Sequence, residues 1–211
     1  MFAEQTWLAR GIWLLLFIFA AGALITGRWS LAFVSAATLV LSLLPVAVAR
    51  WAEVVVPPSF IAAVVAFVGG TLFLGEVYDF YERFWWWDIA MHGGSAVGFG
   101  LIGFVLVFMM FQGDRYAAPP IAVAFFAFCF ALAMGGMWEI FEFSVDQAMG
   151  TAMQKSGLLD TMGDMIVNTV GALIGAGAGW AYLKGRERVG PMGVIDDFVR
   201  RNPKYFSRRR K

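Results

Sequence analysis

The chain has 211 residues, 60% of them hydrophobic, 17% aromatic and only 15% charged, with a formal net charge of +1. A water-soluble domain carries about 25% charged residues, so this composition excludes one and indicates an integral membrane protein. Zinc motifs rich in Cys or His and phosphate-binding P-loops are absent. The single Cys129 rules out an intramolecular disulfide, and its apolar surroundings predict a buried packing role.

A membrane-spanning helix needs about 20 mostly apolar residues, and six segments meet or approach that demand. The first runs from about Gly11 to Thr26, after the head MFAEQTWLAR. Arg10 before an apolar core, with Ala21-Gly22-Ala23 resembling a cleavage site, also fits a secretory signal. The apolar run continues through Leu24 and Ile25, which favours a retained helix. The second segment runs from about Ser30 to Ala49 and is closed by Arg50. Pro57 and Pro58 break the chain, and a third span follows from about Ser59 to Leu74. EVYDFYERFWWW, Glu76 to Trp87, then mixes aromatic rings with charges. It suits a segment lying in the membrane interface, with Trp85 to Trp87 as an aromatic belt. The other reading is that these rings line a substrate's approach from the lipid.

The fourth segment runs from about Asp88 to Phe111. The polar turn QGDRYAAPP leads into the fifth, from about Ile121 to Phe143, and the sixth runs from about Asp160 to Leu183. The tail, GPMGVIDDFVRRNPKYFSRRRK, reads as mobile or surface-lying. Its cations would be drawn to anionic lipid of the inner leaflet at about 1 kcal/mol each. Charge alone supports a nucleic-acid partner for this tail, and none is expected. The chain therefore divides into a transmembrane helix bundle over 1–183 and a basic cytoplasmic tail over 184–211. It is expected to be a multi-pass protein of the bacterial inner (plasma) membrane, with membrane lipid as its partner.

Charge predicts the orientation. Ten of the 16 Lys and Arg follow Leu183: Lys184, Arg186, Arg188, Arg200, Arg201, Lys204, Arg208, Arg209, Arg210 and Lys211. Positive charge stays cytoplasmic, so the C-terminus lies inside, and six spans put the N-terminus inside too. Arg50 and Arg115 fall in the two inner loops, and Arg28 is a small exception outside. The outer connections then hold the acids: Glu76, Asp79, Glu82 and Asp88 in or beside the first, and Glu139, Glu142, Asp146, Asp160 and Asp164 in or beside the second. That is nine of the 15 acids, gathered on one face by a topology derived from Lys and Arg alone. The predicted fold is an all-α polytopic membrane bundle of six transmembrane helices with both termini cytoplasmic.

Glycines at 171, 175 and 179 recur every four residues on one face of the sixth segment. Small residues at that spacing let two helices approach closely. They predict packing within the chain or a homo-oligomer contact through the Gly171/Gly175/Gly179 face. Gly94, Gly98 and Gly103 in the fourth segment invite the same reading.

The acids fall in helical phase. Asp88 and His92, the only histidine, are four apart and share a face. Glu139, Glu142 and Asp146 stand at i, i+3 and i+7; Asp160, Asp164 and Asn168 stand at i, i+4 and i+8. Glu76 and Asp79 could add to the group. Acids at such depth are costly unless paired, and they normally mark a functional site. Crowded carboxylates repel unless they take up protons or share a cation. Arg83 and Lys155 are too few to neutralise them. A divalent metal held by Asp88, His92, Glu139, Glu142, Asp146, Asp160 and Asp164 would do so. One imidazole among many oxygens favours Mg²⁺, Mn²⁺, Ca²⁺ or iron over zinc. The Glu-x-x-His signature of di-iron bundles is absent. The bland readings are that Asp88 and Asp160 cap their helices and that Glu139 and Glu142 stay solvated.

These same motifs carry a resemblance. The D-x-x-x-H of Asp88 and His92, the W-E-x-x-E of Trp138 to Glu142, and the DT-x-x-D-x-x-x-N of Asp160 to Asn168 resemble the YjdF-like family of uncharacterised bacterial inner-membrane proteins. Gly171-Ala172 also fits. The resemblance covers roughly Ser59 to Leu183 and implies a multi-helix membrane protein, with no particular activity. Acid-phosphatase-type lipid phosphatases are excluded, because their paired histidines and phosphate-binding arginines have no counterpart.

The function expected from the residues is binding of a divalent metal in an outward-facing carboxylate/His site. The chemistry that would follow is metal-dependent hydrolysis of a lipid-linked or amphiphilic substrate, with His92 and Glu142 as catalytic candidates. The rival expectations are a cation or proton-coupled transporter and a non-catalytic membrane assembly protein. The few polar residues in the inner halves of the helices weigh against transport.

Overall fold

The computed structural model describes residues 4–111, 117–185 and 190–206. Arg115, Arg186, Arg188, Arg208, Arg209, Arg210 and Lys211 lie outside them. The described residues form helices joined by short turns, with no strand among them. In chain order these are α1 (Trp7–Ile25), α2 (Trp29–Trp51), α3 (Pro58–Val68) continuing as a π-helix (Gly69–Val77), α4 (Phe80–Arg83), α5 (Trp87–Met110), α6 (Pro120–Met149), α7 (Leu158–Leu183), α8 (Pro191–Arg201) and α9 (Pro203–Phe206). Six are long and apolar enough to cross a membrane: α1, α2, α3 with its π-helix, α5, α6 and α7. The chain is an all-α, multi-pass membrane protein.

The helix ends follow local chemistry. The Thr6 hydroxyl accepts the Ala9 N–H and caps α1. Pro58 and Pro120 occupy first-turn positions, where a missing N–H costs nothing. Gly150 ends α6 in the left-handed region at φ 68°. The third span is longer than expected because it changes to π-helical winding at Gly69 and runs on to Val77. The fifth also runs six residues past Phe143, to Met149. At 30 residues, α6 is about 45 Å long, against about 30 Å of hydrocarbon.

The fold divides into two compact units. The first comprises residues 1–87 together with Arg200–Asn202. Ala9, Trp13, Val46, Ile61, Ala62 and Val65 form its core. Ser35, Thr38 and Ser42 stack along the buried face of α2. The Thr38 and Ser42 hydroxyls bond carbonyls of their own helix, and the Trp13 indole donates to Ser42 Oγ at 3.0 Å. Tail residue Asn202 is fully paired: its side chain accepts from Val55 N at 2.7 Å and donates to Val55 O at 2.8 Å. In the connection after the π-helix, the rings of Phe80, Phe84, Trp86 and Trp87 pack on one another while Trp85 is exposed.

The second unit comprises Asp88–Val199 and Pro203–Lys211. Phe104, Phe108, Val123, Ala127, Tyr182 and Ile195 anchor its core. The described part of the tail is therefore not a mobile arm. Ile195 and Phe198 on α8 are buried, and Phe206 stacks near Phe108 and Phe198. Cys129 departs from the expected burial: it lies on an exposed face of α6.

The glycine face of α7 is consumed inside the chain. A Cβ at Gly171 would lie 2.5 Å from Gly93 O, and one at Gly175 would lie 2.5 Å from Val97 O and 3.0 Å from Gly100 Cα. One at Gly179 would enter the Phe104 ring. Gly103 meets α6 at Ala127 and Phe130. Within the chain, this face is occupied by α5. Gly94 and Gly98, by contrast, have open space beside them.

Gly175→Ala should cost about 1–3 kcal/mol through overpacking, and a larger side chain should abolish folding. Gly94→Ala should be tolerated. Thermal unfolding of detergent-purified variants checks the contrast. Equal midpoints for Gly175→Ala and Gly94→Ala would refute the close α5–α7 approach.

Candidate metal centre

Three helices of the second unit converge at one end. His92 lies about 8 Å along α5 from its start, and Asp164 about 9 Å along α7 from its start. Glu142 and Glu139 lie about 10 and 15 Å before the end of α6. His92, Glu139, Glu142, Asp164 and Asn168 are all at least nine-tenths buried. Asp88 is half-buried, with 28% of its side chain exposed.

His92 is at the centre. Its Nε2 lies 3.5 Å from Asp88 Oδ1 and 3.8 Å from Asp164 Oδ2. The ligating atoms of Asp88, His92 and Asp164 all fall within 4.8 Å of one another. Its Nδ1 faces Glu139 Oε1 at 3.8 Å and Asn168 Nδ2 at 3.5 Å. These gaps exceed a normal N–H···O bond of about 2.7–3.2 Å. They match the spacing of ligands that share a cation. Two oxygen or nitrogen ligands about 2.3–2.6 Å from a large cation such as Ca²⁺ and about 90° apart stand about 3.3–3.7 Å from each other.

The glycine contacts account for this convergence. Gly93 follows His92 directly, and its carbonyl touches the place where a Gly171 side chain would be. With α5 and α7 backbones that close, His92 is brought against Asp164 and Asn168. On the α6 side, a Cβ at Gly135 would lie 2.8 Å from Asn168 Nδ2. Asn168 is wedged between α5 and α6, 1% exposed, with Oδ1 lacking any hydrogen-bond partner. The Trp138 indole donates to Glu142 Oε1 at 2.9 Å.

The expected residues separate into two groups. Asp88, His92, Glu139, Glu142 and Asp164 occupy the same end of the unit. Asp88 does not cap α5, since the helix begins one residue earlier at Trp87. Nor does Asp160 occupy the cap of α7, which is Gly157. Asp160 Oδ2 accepts the Lys155 N–H at 3.1 Å and ties the loop before α7 to its first turn. Asp146 is directed elsewhere. Its carboxylate accepts from Thr151 Oγ1 at 2.6 Å, Met153 N at 2.8 Å and Gln154 N at 2.9 Å, holding the α6–α7 turn. The longer α6 places Asp146 beside that turn. Glu76 and Asp79 belong to the first unit, where Glu76 lines an open cleft with Arg28 and Trp29, and Asp79 faces Arg83 at 4.0 Å. Asn168 and Trp138 were absent from the expected ligand set. Their positions at i+4 from Asp164 and i−4 from Glu142 are the signal that points to them.

Comparison with known proteins agrees with this architecture. A family model described as "Predicted membrane protein (DUF2238)" matches residues 6–185. The chain belongs to this family. The match spans all six membrane helices and every residue of the cluster. A Thermotoga maritima protein described as "Uncharacterized protein" is 28% identical over 102 residues, which cover 46% of this chain and 50% of that relative. The chain thus spans about half the length of the curated relative it matches. No solved structure matches.

Asp146→Ala should loosen the α6–α7 turn and leave the helices intact. Limited proteolysis should show cleavage within 150–157 rising several-fold. An unchanged digestion pattern would mean that the three bonds to Asp146 do not hold the turn.

Proposed function

We propose that this family member binds a divalent cation through Asp88, His92 and Asp164, in a pocket facing away from the cytoplasm, and uses it to hydrolyse an amphiphilic or lipid-linked substrate. The observation that carries the reading is the spacing around His92 Nε2, too wide for hydrogen bonds and matched to ligands around one ion. Burial adds to it. Carboxylates removed from water are expensive unless paired, and Glu139, Glu142 and Asp164 are all at least nine-tenths buried.

The donor set favours Mg²⁺, Mn²⁺, Ca²⁺ or iron, because carboxylate oxygens outnumber the single imidazole. Three protein ligands leave coordination positions open, the pattern of a catalytic centre rather than a closed structural one. An ion held there would supply Lewis acidity, activating a bound water and polarising a substrate oxygen. The substrate class follows from the surroundings. Ile140, Phe141 and Phe143 beside Glu142 are exposed on a membrane helix, a surface suited to an acyl or prenyl chain whose head group reaches the ion. The outward direction is supported by the concentration of Lys and Arg after Leu183.

Elemental analysis of protein purified in detergent under metal-replete conditions tests the reading. Wild type should retain stoichiometric divalent metal. His92→Ala and Asp164→Asn, each eluting as a monodisperse species, should lose at least nine-tenths of it. Metal-free wild type after reconstitution with Mg²⁺, Mn²⁺, Ca²⁺ or Fe²⁺ would end the proposal.

A further inference from the structure

We infer that the cleft between the start of α2 and the end of the π-helix binds the head group of a zwitterionic glycerophospholipid, with its phosphate on Arg28 and its primary ammonium on Glu76. The cleft belongs to the first unit and has a volume of about 440 Å³, the size of a small-molecule site. It shares no residue with the metal centre proposed above.

Both charges are positioned by the backbone that carries them. Gly27, in the left-handed region at φ 71°, follows the end of α1. Its N–H donates to Leu24 O at 3.3 Å, and Arg28 N donates to Ala23 O at 2.8 Å. These are the paired bonds of a Schellman turn, and they fix Arg28 where α1 gives way to α2. On the other wall, the change to π winding at Gly69 rotates Glu76 away from the face it would take in a continued α-helix. Gly75 beside it makes room for the Tyr81 ring, which fills the place of a Gly75 side chain. Arg28 and Glu76 therefore line one cleft.

The walls suit the rest of such a lipid. Both are ends of spanning helices, which is the depth of the head groups. Leu31, Val34 and Val77 line the cleft and are half-buried, an apolar surface for the upper part of an acyl chain. Trp29 also lines it and is exposed, as tryptophans at the membrane interface are. The charges select the head group. A guanidinium takes phosphate oxygens through charge-assisted, often bidentate bonds. A carboxylate repels a second anion and accepts N–H bonds from an ammonium. Phosphatidylglycerol offers Glu76 no cation. Choline offers a cation without N–H and calls for a cage of aromatic rings, whereas Trp29 supplies the one ring among the described residues that line the cleft. Phosphatidylethanolamine meets both charges. Arg28, the exception to the orientation read from Lys and Arg, thereby gains a role on its side of the membrane.

Native mass spectrometry of the full chain, delipidated in detergent, measures the binding of added phosphatidylethanolamine, phosphatidylglycerol and phosphatidylcholine with identical acyl chains. One phosphatidylethanolamine per chain should bind about ten-fold more tightly than either competitor. Arg28→Ala should weaken that lipid by about ten-fold, and Glu76→Gln should bring phosphatidylglycerol to within about two-fold of it. Wild-type affinity for phosphatidylethanolamine no higher than for either competitor overturns the inference. So does either variant that keeps the wild-type affinity and preference. Both side chains are exposed, and the wild-type competition decides the matter even where a variant fails to fold.

Discussion

The close approach of α5 and α7 is the constraint on which the second unit depends. Helices in lipid gain nothing from excluding water, so they associate through close packing and hydrogen bonding. Here the contact is backbone on backbone: Gly171 against Gly93 O, and Gly175 against Val97 O and Gly100. Each missing side chain removes a spacer of ångström size. Interaxial distance decides whether an imidazole on one helix can reach a carboxylate on the next. The glycines therefore determine the polar cluster as well as the packing.

Much of this was legible in the chain. Six apolar runs of about 20 residues mark the spans, and the helical phase of Asp88/His92, Glu139/Glu142 and Asp164/Asn168 marks three polar stripes. Phase shows which residues share a face of one helix. It does not show how far that helix continues, and α6 runs past Phe143 to Met149. That extension gives Asp146 to a turn instead of the cluster. The partner of a glycine stripe is equally invisible in sequence, since an intramolecular and an intermolecular groove need the same small residues. Cys129 misled for a related reason. On a membrane helix an apolar neighbourhood describes lipid-facing and core-facing positions alike.

The tail was read from its charge, and its apolar residues proved more informative. Ile195 and Phe198 are spaced three apart, with the charged Asp196, Asp197, Arg200 and Arg201 following Ile195 around Phe198, which is the pattern of a short amphipathic helix. Counting cations suggested a solvated arm; counting the apolar positions on α8 would have suggested a docked one.

The Asn202 side chain, bonded to both the N–H and the C=O of Val55, has a topological consequence. Residue 55 follows two spans and residue 202 follows all six. A hydrogen-bonded pair cannot straddle a bilayer, so Asn202 and the α2–α3 loop it holds meet one and the same surface, and the polar clamp joins two stretches that synthesis separates by four spans.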